Sequence, residues 1–326
     1  MSDTVPTVLG EVSADSLGRI LPHEHIASCH GGWNKLAEEP NPEWEQVILE
    51  HYTPLLASLA RDYDCRTLVD VTPKAGCYGP RDLEVWAELS RRSGVNIVIS
   101  TGYFSGRYRP SWMHDMTVSQ LADEMIRDLT EGVYGSRVKA GVIKVNIDDY
   151  DPDGVKLLRA AAIAQHKTGA SITNCISAPR SQNDILLGAG VPPERIYMGH
   201  TDYTADPFTM LDYLRRGVRT IFTTWGHEQG RTPDSGRVLT PKYYAAELSA
   251  IVIAEGYANQ LLISVDYSAM SGIEGGRLLE DLYGVPGRTF TYMFTHALDS
   301  LRLFGISEEM IEHIMRDNPR CMLLRA

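Results

Sequence analysis

The chain's 326 residues, 43% hydrophobic and 22% charged, suffice for a large buried core and argue against a disordered or fibrous polymer. A formal charge of −11, with no Lys/Arg run longer than two, argues against a nucleic-acid or anionic-membrane surface and leaves a small molecule or another subunit as the partner. Five cysteines without a C-x-x-C pair, no glycosylation sequon, no leader pattern and no apolar run near ~18 residues predict a cytoplasmic, non-membrane protein.

In chain order, short β-branched runs recur at "RILPHEHI" (19–26), "RTLVDVTP" (66–73), "VNIVISTGY" (95–103) and "AGVIKVNI" (140–147), then "ASITNCIS" (170–177), "RIYMGHTD" (195–202), "VRTIFTTW" (218–225) and "LLISVDYS" (261–268). Between them lie segments with apolar residues at three- and four-residue intervals, such as "PEWEQVILEHYTPLLASLARDY", "TVSQLADEMIRDLT" and "DGVKLLRAAAIAQHKTG". Gly94, Gly169 and Gly217 each stand directly before a strand, where a helix-ending glycine belongs. Eight strand–helix alternations, with strands apolar throughout, imply a parallel sheet buried on both faces. No G-x-G-x-x-G follows the first strand, so the reading is an α/β fold of the (β/α)8 TIM-barrel type, one domain over residues 1–326. Such barrels carry their chemistry at the C-terminal ends of the strands.

Polar residues stand at those ends: His23 and His25 on the first strand, Lys144 on the fourth, Cys175 on the fifth, His200 on the sixth and Asp266 on the eighth. In a strand His23 and His25 share a face, roughly 6.5–7 Å apart, and could hold one metal ion, although a lone His-x-His also arises by chance. His200 alone could be a core histidine and Cys175 a small buried hydrophobe; together the six form a ring of N, O and S donors about one axis. Lys144 lies in an apolar strand, which favours its neutral amine. That amine could take up carbon dioxide to give a bridging carbamate, or the lysine could pair with Asp148 or Asp149; spacing leaves both readings open.

These residues bring the chain to a known pattern. It resembles the phosphotriesterase family of the amidohydrolase superfamily over nearly its whole length, through "LPHEH", "DVTPKAGCYGPRD", "ISTGYF", "GVIKVNI", "MGHTDYTADP", "ISVDYS" and "FTHALDSLRLFGISEEMIEHIMRDNPR". The resemblance implies a binuclear divalent metal centre, most simply two zinc ions with manganese or cobalt as substitutes, and no organic cofactor. His23, His25 and Asp266 would bind the inner ion, His200 the outer one, and a carboxylated Lys144 would bridge them. One position departs: Cys175, beside Asn174, stands where the family places a histidine. It is either a softer, anionic ligand or a buried thiol beside a weak outer site.

The same resemblance implies a hydrolase in which the metal ions activate water to hydroxide and Asp266 moves the proton to the leaving group. A lactone, carboxylic ester or related acyl bond is the first expectation for the substrate; a phosphotriester or amide is the alternative. A non-hydrolytic barrel that binds a ligand or a single metal is a reading from another class. Lys74, Tyr103, Trp225, His227 and Arg231 are the candidate substrate contacts, with Lys74 and Arg231 able to neutralise an anionic group or to be solvated loop charges. A homodimer is left open.

Overall fold

The computed structural model of the protein describes residues 3–26, 42–73, 83–104, 109–147, 151–175, 179–203, 207–227, 243–267 and 285–325. The chain opens with a hairpin that the apolar pattern did not announce, β1 (Thr4–Thr7) against β2 (Gly10–Ser13). The eight predicted runs then form β3 (Arg19–Glu24), β4 (Cys65–Asp70), β5 (Asn96–Thr101), β6 (Val142–Lys144), β7 (Ile172–Asn174), β8 (Ile196–Gly199), β9 (Arg219–Phe222) and β10 (Leu261–Ile263). They pair in parallel and in sequence order from β3 to β10.

Helices α1 (Pro42–Tyr63), α2 (Leu83–Ser93), α3 (Val118–Thr130), α4 (Pro152–Thr168), α5 (Pro179–Gly188), α6 (Pro207–Arg215) and α7 (Tyr244–Ala254) alternate with the strands, and α8 (Leu298–Leu303), α9 (Glu308–Glu312) and α10 (Asn318–Leu323) follow the last one. Right-handed strand–helix crossovers of this kind wrap helices around the sheet, and the result is a TIM barrel. Gly94, Gly169 and Gly217 all adopt positive φ (+73°, +71° and +91°), the left-handed turn expected where a helix stops and a strand follows at once.

Two apolar clusters follow from the alternation of side chains along each strand. The larger lies between strands and helices, with Leu21, Leu68, Ile97, Ile143, Ile172 and Phe222 among its fully buried members. The smaller gathers Ile20, Val69, Val98, Val142, Tyr197, Ile221 and Leu262, one from each of seven barrel strands, with Val5 of the hairpin and Met322 and Leu323 of α10 packed onto it. Hairpin and final helix together therefore floor the barrel. Each fully buried aliphatic side chain contributes about 1.5–3 kcal/mol relative to exposure, so this floor also carries a share of the stability.

The remaining seam lies between β10 and β3. It is bridged at its upper end by the His25 N–H donating to the Tyr267 carbonyl (3.3 Å) and by the His23 N–H donating to Ser264 Oγ (3.0 Å). The pairing of β3 with β4 is irregular between Leu21 and Glu24, just where the two histidines stand. Among the described residues, no helix is long and apolar enough to cross a membrane.

Candidate metal centre

Three donors meet at the seam. His23 Nε2 and His25 Nε2 lie 3.9 and 3.3 Å from Asp266 Oδ1, and one ligand atom from each of the three residues falls within 4.8 Å of the other two. Two neutral-capable nitrogens and one carboxylate facing a common point are the donor set a divalent transition metal takes, so the residues present fit such an ion. Lys144 Nζ is 3.5 Å from His23 Nε2, and the lysine is 1% exposed. His200 Nδ1 stands 3.6 Å from Asp266 Oδ2, with its ring edge-on to that of His23 at 4.5 Å between centroids.

Cys175, 5% exposed, lies within hydrogen-bonding reach of His200. The structure thus brings His23, His25, Lys144, His200 and Asp266 around one point and puts the thiol next to His200.

The electrostatics follow from burial and proximity. Burial, then the nearby Lys144 and His200, hold the His23 imidazole well below its ordinary pKa, which keeps it in its neutral form. Burial pushes the Asp266 carboxyl up, but His200, His25 and His23 outweigh it and hold the group well below the usual carboxylate range. Burial also opposes the charged form of His200, yet Cys175 and Asp266 raise its pKa.

Local backbone geometry serves the same end. His200 and Asp266 both have positive φ, +63° and +54°, a left-handed conformation that costs an ordinary residue about 1–2 kcal/mol. His200 sits one residue beyond β8 and Asp266 three residues beyond β10, in the turns that follow the C-terminal ends of the strands. Gly199 packs against the Nδ1 edge of His23: a Cβ there would come within 2.9 Å of His23 Cε1 and 2.6 Å of the Asn174 carbonyl oxygen.

A set of buried polar groups behind the donors has no counterpart in the sequence reading. Thr72 Oγ1 meets His25 Nδ1 at 2.9 Å, and Thr223 Oγ1 meets His200 Nδ1 at 2.7 Å. The bond to His25 Nδ1 lies on the ring nitrogen away from Asp266 and fixes that ring's tautomer and orientation, whereas the bond to His200 falls on Nδ1, the nitrogen that also faces Asp266 Oδ2. The threonines are anchored in turn. Asp70 accepts from the Thr72 N–H (2.9 Å) and from Trp86 Nε1 (2.6 Å), while Asp202 Oδ2 accepts from the N–H groups of Thr223 and Thr224 and from Thr224 Oγ1.

Between the two histidines, Glu24 is wholly buried. Its carboxylate accepts from Ser264 Oγ (2.6 Å), the Val265 N–H (2.7 Å) and the Tyr267 N–H (2.8 Å). Burial pushes its pKa up to about 8 against the pull of these three donors. The signal that could have revealed these groups is their position: each is a polar residue within two places of a strand end or of a donor.

The predicted substrate contacts are placed unequally. Tyr103 is buried and turns outward, its hydroxyl donating to Glu124 of α3 at 2.8 Å, and it is not brought to the donor ring. Trp225 is buried after β9, with Nε1 donating to the Phe222 carbonyl (3.3 Å). His227 is buried with Nδ1 bonded to Tyr203 Oη, and the Tyr203 ring in turn lies 5.6 Å from that of His200, which puts this pair closest to the centre. Lys74 and Arg231 lie outside the described residues, as do Asp148 and Asp149.

Comparison with known proteins agrees with this geometry. Residues 3–323 match the sequence model of the Phosphotriesterase family. An aryldialkylphosphatase of Saccharolobus solfataricus is 26% identical over 321 residues, covering 95% of this chain and 96% of that protein. An N-acetyltaurine hydrolase of Xenopus tropicalis is 23% identical over 351 residues, covering 98% and 97%. Among solved structures, a triple mutant of the organophosphorus hydrolase from Deinococcus radiodurans superposes with a TM-score of 0.82 at 28% identity, covering 98% of this chain and 97% of that one.

Proposed function

Because the chain belongs to the phosphotriesterase family, whose members are metal-dependent hydrolases, we propose that it hydrolyses a lactone, carboxylic ester or related acyl bond of a small molecule at the corner formed by His23, His25 and Asp266. The observation that carries this reading is the convergence of those three donors, from the first and last barrel strands, within 4.8 Å. A bound divalent pair, zinc in the first instance with manganese or cobalt as substitutes, supplies water ionised near neutral pH and polarisation of the scissile carbonyl.

The chain's own residues do the rest. His23 and His25 hold the inner ion through Nε2, with Thr72 keeping the His25 ring in place. Asp266 contributes one oxygen to the ion and keeps a second, facing His200, to receive the proton of the attacking water and pass it to the leaving group. Lys144, as its carbamate, together with His200 and Cys175 would hold a second ion beside the first. Trp225, His227 and, from the segments not described, Lys74 and Arg231 meet the substrate, while Tyr103 braces the wall from behind through Glu124. An acyl centre is favoured because relatives named N-acetyltaurine hydrolase recur among the similar proteins.

The test is metal analysis of the purified protein together with a panel of lactones, aryl esters, N-acyl amines and phosphotriesters. The expected result is divalent metal in the wild type, turnover highest on an acyl substrate, and loss of metal and turnover together in His23→Ala. Tight ligand binding without turnover on any member of the panel, or full metal and activity in His23→Ala, overturns the reading.

A further inference from the structure

Glu24 stands between two proposed ligands yet takes no part in the donor ring, because its side chain turns the other way, into the seam. Its three donors come from one short stretch: Ser264 Oγ and the Val265 N–H on Oε1, and the Tyr267 N–H on Oε2. The two backbone donors flank Asp266, which holds the left-handed conformation (φ +54°). One carboxylate therefore spans the residues on both sides of the strained position.

The same stretch is gripped from its other face. The guanidinium of Arg288, 3% exposed, donates through Nη2 to the Val265 carbonyl and through Nε to the Trp225 carbonyl (2.7 Å). Ser264 Oγ, besides donating to Glu24, accepts the His23 N–H, so the strand carrying His23 and the turn carrying Asp266 share one hydrogen-bond chain.

We infer that Glu24 is a positioning residue for Asp266: it fixes the left-handed turn at 265–267 and so sets the distance between the Asp266 carboxylate and the two histidine nitrogens. The inference rests on the reading of Asp266 as a metal ligand. Aspartate enters the left-handed region more readily than most residues but still at a cost, and once the N–H groups of Val265 and Tyr267 lose their acceptor the backbone is free to relax to an extended form, which would swing the carboxylate away from His25.

Glu24→Gln is the discriminating variant. It is isosteric and keeps one carbonyl oxygen for Ser264 and Val265, but its amide nitrogen faces the Tyr267 N–H donor to donor. Three measurements apply: Co²⁺ affinity by chelator competition, the visible spectrum of the Co²⁺-loaded protein, and amide hydrogen exchange at Val265 and Tyr267 in the metal-free protein.

The expected result is Co²⁺ binding weakened about 10- to 100-fold, an altered Co²⁺ spectrum and faster exchange at Tyr267, with the melting temperature of the metal-free protein lowered by only a few degrees. Wild-type Co²⁺ affinity and spectrum in Glu24→Gln overturn the inference even if the variant is less stable. Should the wild type itself take up no Co²⁺, the metal reading falls. The exchange measurement then decides alone: faster exchange at Tyr267 supports the positioning of the turn, and unchanged protection overturns it.

Discussion

Lys144 Nζ and His23 Nε2 face each other at 3.5 Å inside the barrel. An ammonium packed this close to an imidazole lowers the imidazole's pKa, as it does here. The conflict disappears if the amine becomes a carbamate, since an anion then stands where a cation stood. Lys144→Met should reduce turnover at least about 100-fold, the loss typical of a missing essential group. Short carboxylic acids added at millimolar levels should restore part of it. Full activity in Lys144→Met, or an unmodified lysine in the density of metal-loaded crystals, counts against the bridge.

Cys175 provides a chemical reporter of the outer position. A thiol bound to a cation is deprotonated and shielded, so alkylation should be slow in metal-loaded protein and fast after chelation. Cys175→Ala should release the outer ion and leave the inner one at His23, His25 and Asp266. Two ions per chain and undiminished turnover in Cys175→Ala would show that the sulfur only fills space beside His200.

Gly199 is predicted to be irreplaceable for reasons of contact. Alanine there would overlap the Asn174 carbonyl and the His23 ring, and forced overpacking of this kind costs about 1–3 kcal/mol. Gly199→Ala should lower both the melting temperature and the metal content, because the side that yields is the imidazole. A variant that loses stability yet binds metal normally would place the adjustment in the backbone of β7 instead.

Acid sensitivity is expected away from the centre, where Arg19 of β3 pairs with Glu312 of α9, and Arg316 pairs with both Glu312 and Asp64 (2.6 Å each). Burial pushes the Glu312 carboxyl up, but hydrogen bonds from Arg19 and Arg316 outweigh it and the pKa is lowered from 4.5. A depressed carboxylate stabilises the fold above its unfolded pKa, and that contribution disappears as pH falls through the folded one. Glu312→Gln should therefore cost up to about 1 kcal/mol at pH 7, given partial exposure. In urea unfolding at pH 3 the gap between variant and wild type should shrink. A gap that is constant or grows in acid contradicts the assignment.

The barrel was legible because its strands are apolar on both faces and its helices end on glycines, two signals that survive without knowledge of partners. The hairpin β1–β2 was not, since "TVPT" and "GEVS" are four residues each and bring just Val5, with the partly buried Val12 beside it, to the floor of the barrel. The meeting of His23, His25 and Asp266 could be read from their places after the first and last strands. What escaped was what stands behind them. Glu24, Thr72, Asp202 and Thr223 are ordinary polar residues within or at the ends of the strand runs, and Arg288 lies beyond them; only the fold shows that each is buried against a specific backbone group or ring. Tyr103, an aromatic at a strand end, suggests the mouth, and nothing in the sequence showed that its hydroxyl donates to Glu124 of α3.

The seam at which His23 and His25 meet Asp266 also orders the events of folding. Strands β4 to β9 can each pair with a neighbour already made, as synthesis proceeds, whereas the contact of β3 with the end of β10 closes a loop that encloses nearly the whole barrel. Long-range closure is slow because its entropy is lost before its contacts form. The corner therefore cannot form before β10 and the turn after it are in place, and a chain arrested before Val265 would carry both histidines without the aspartate that faces them.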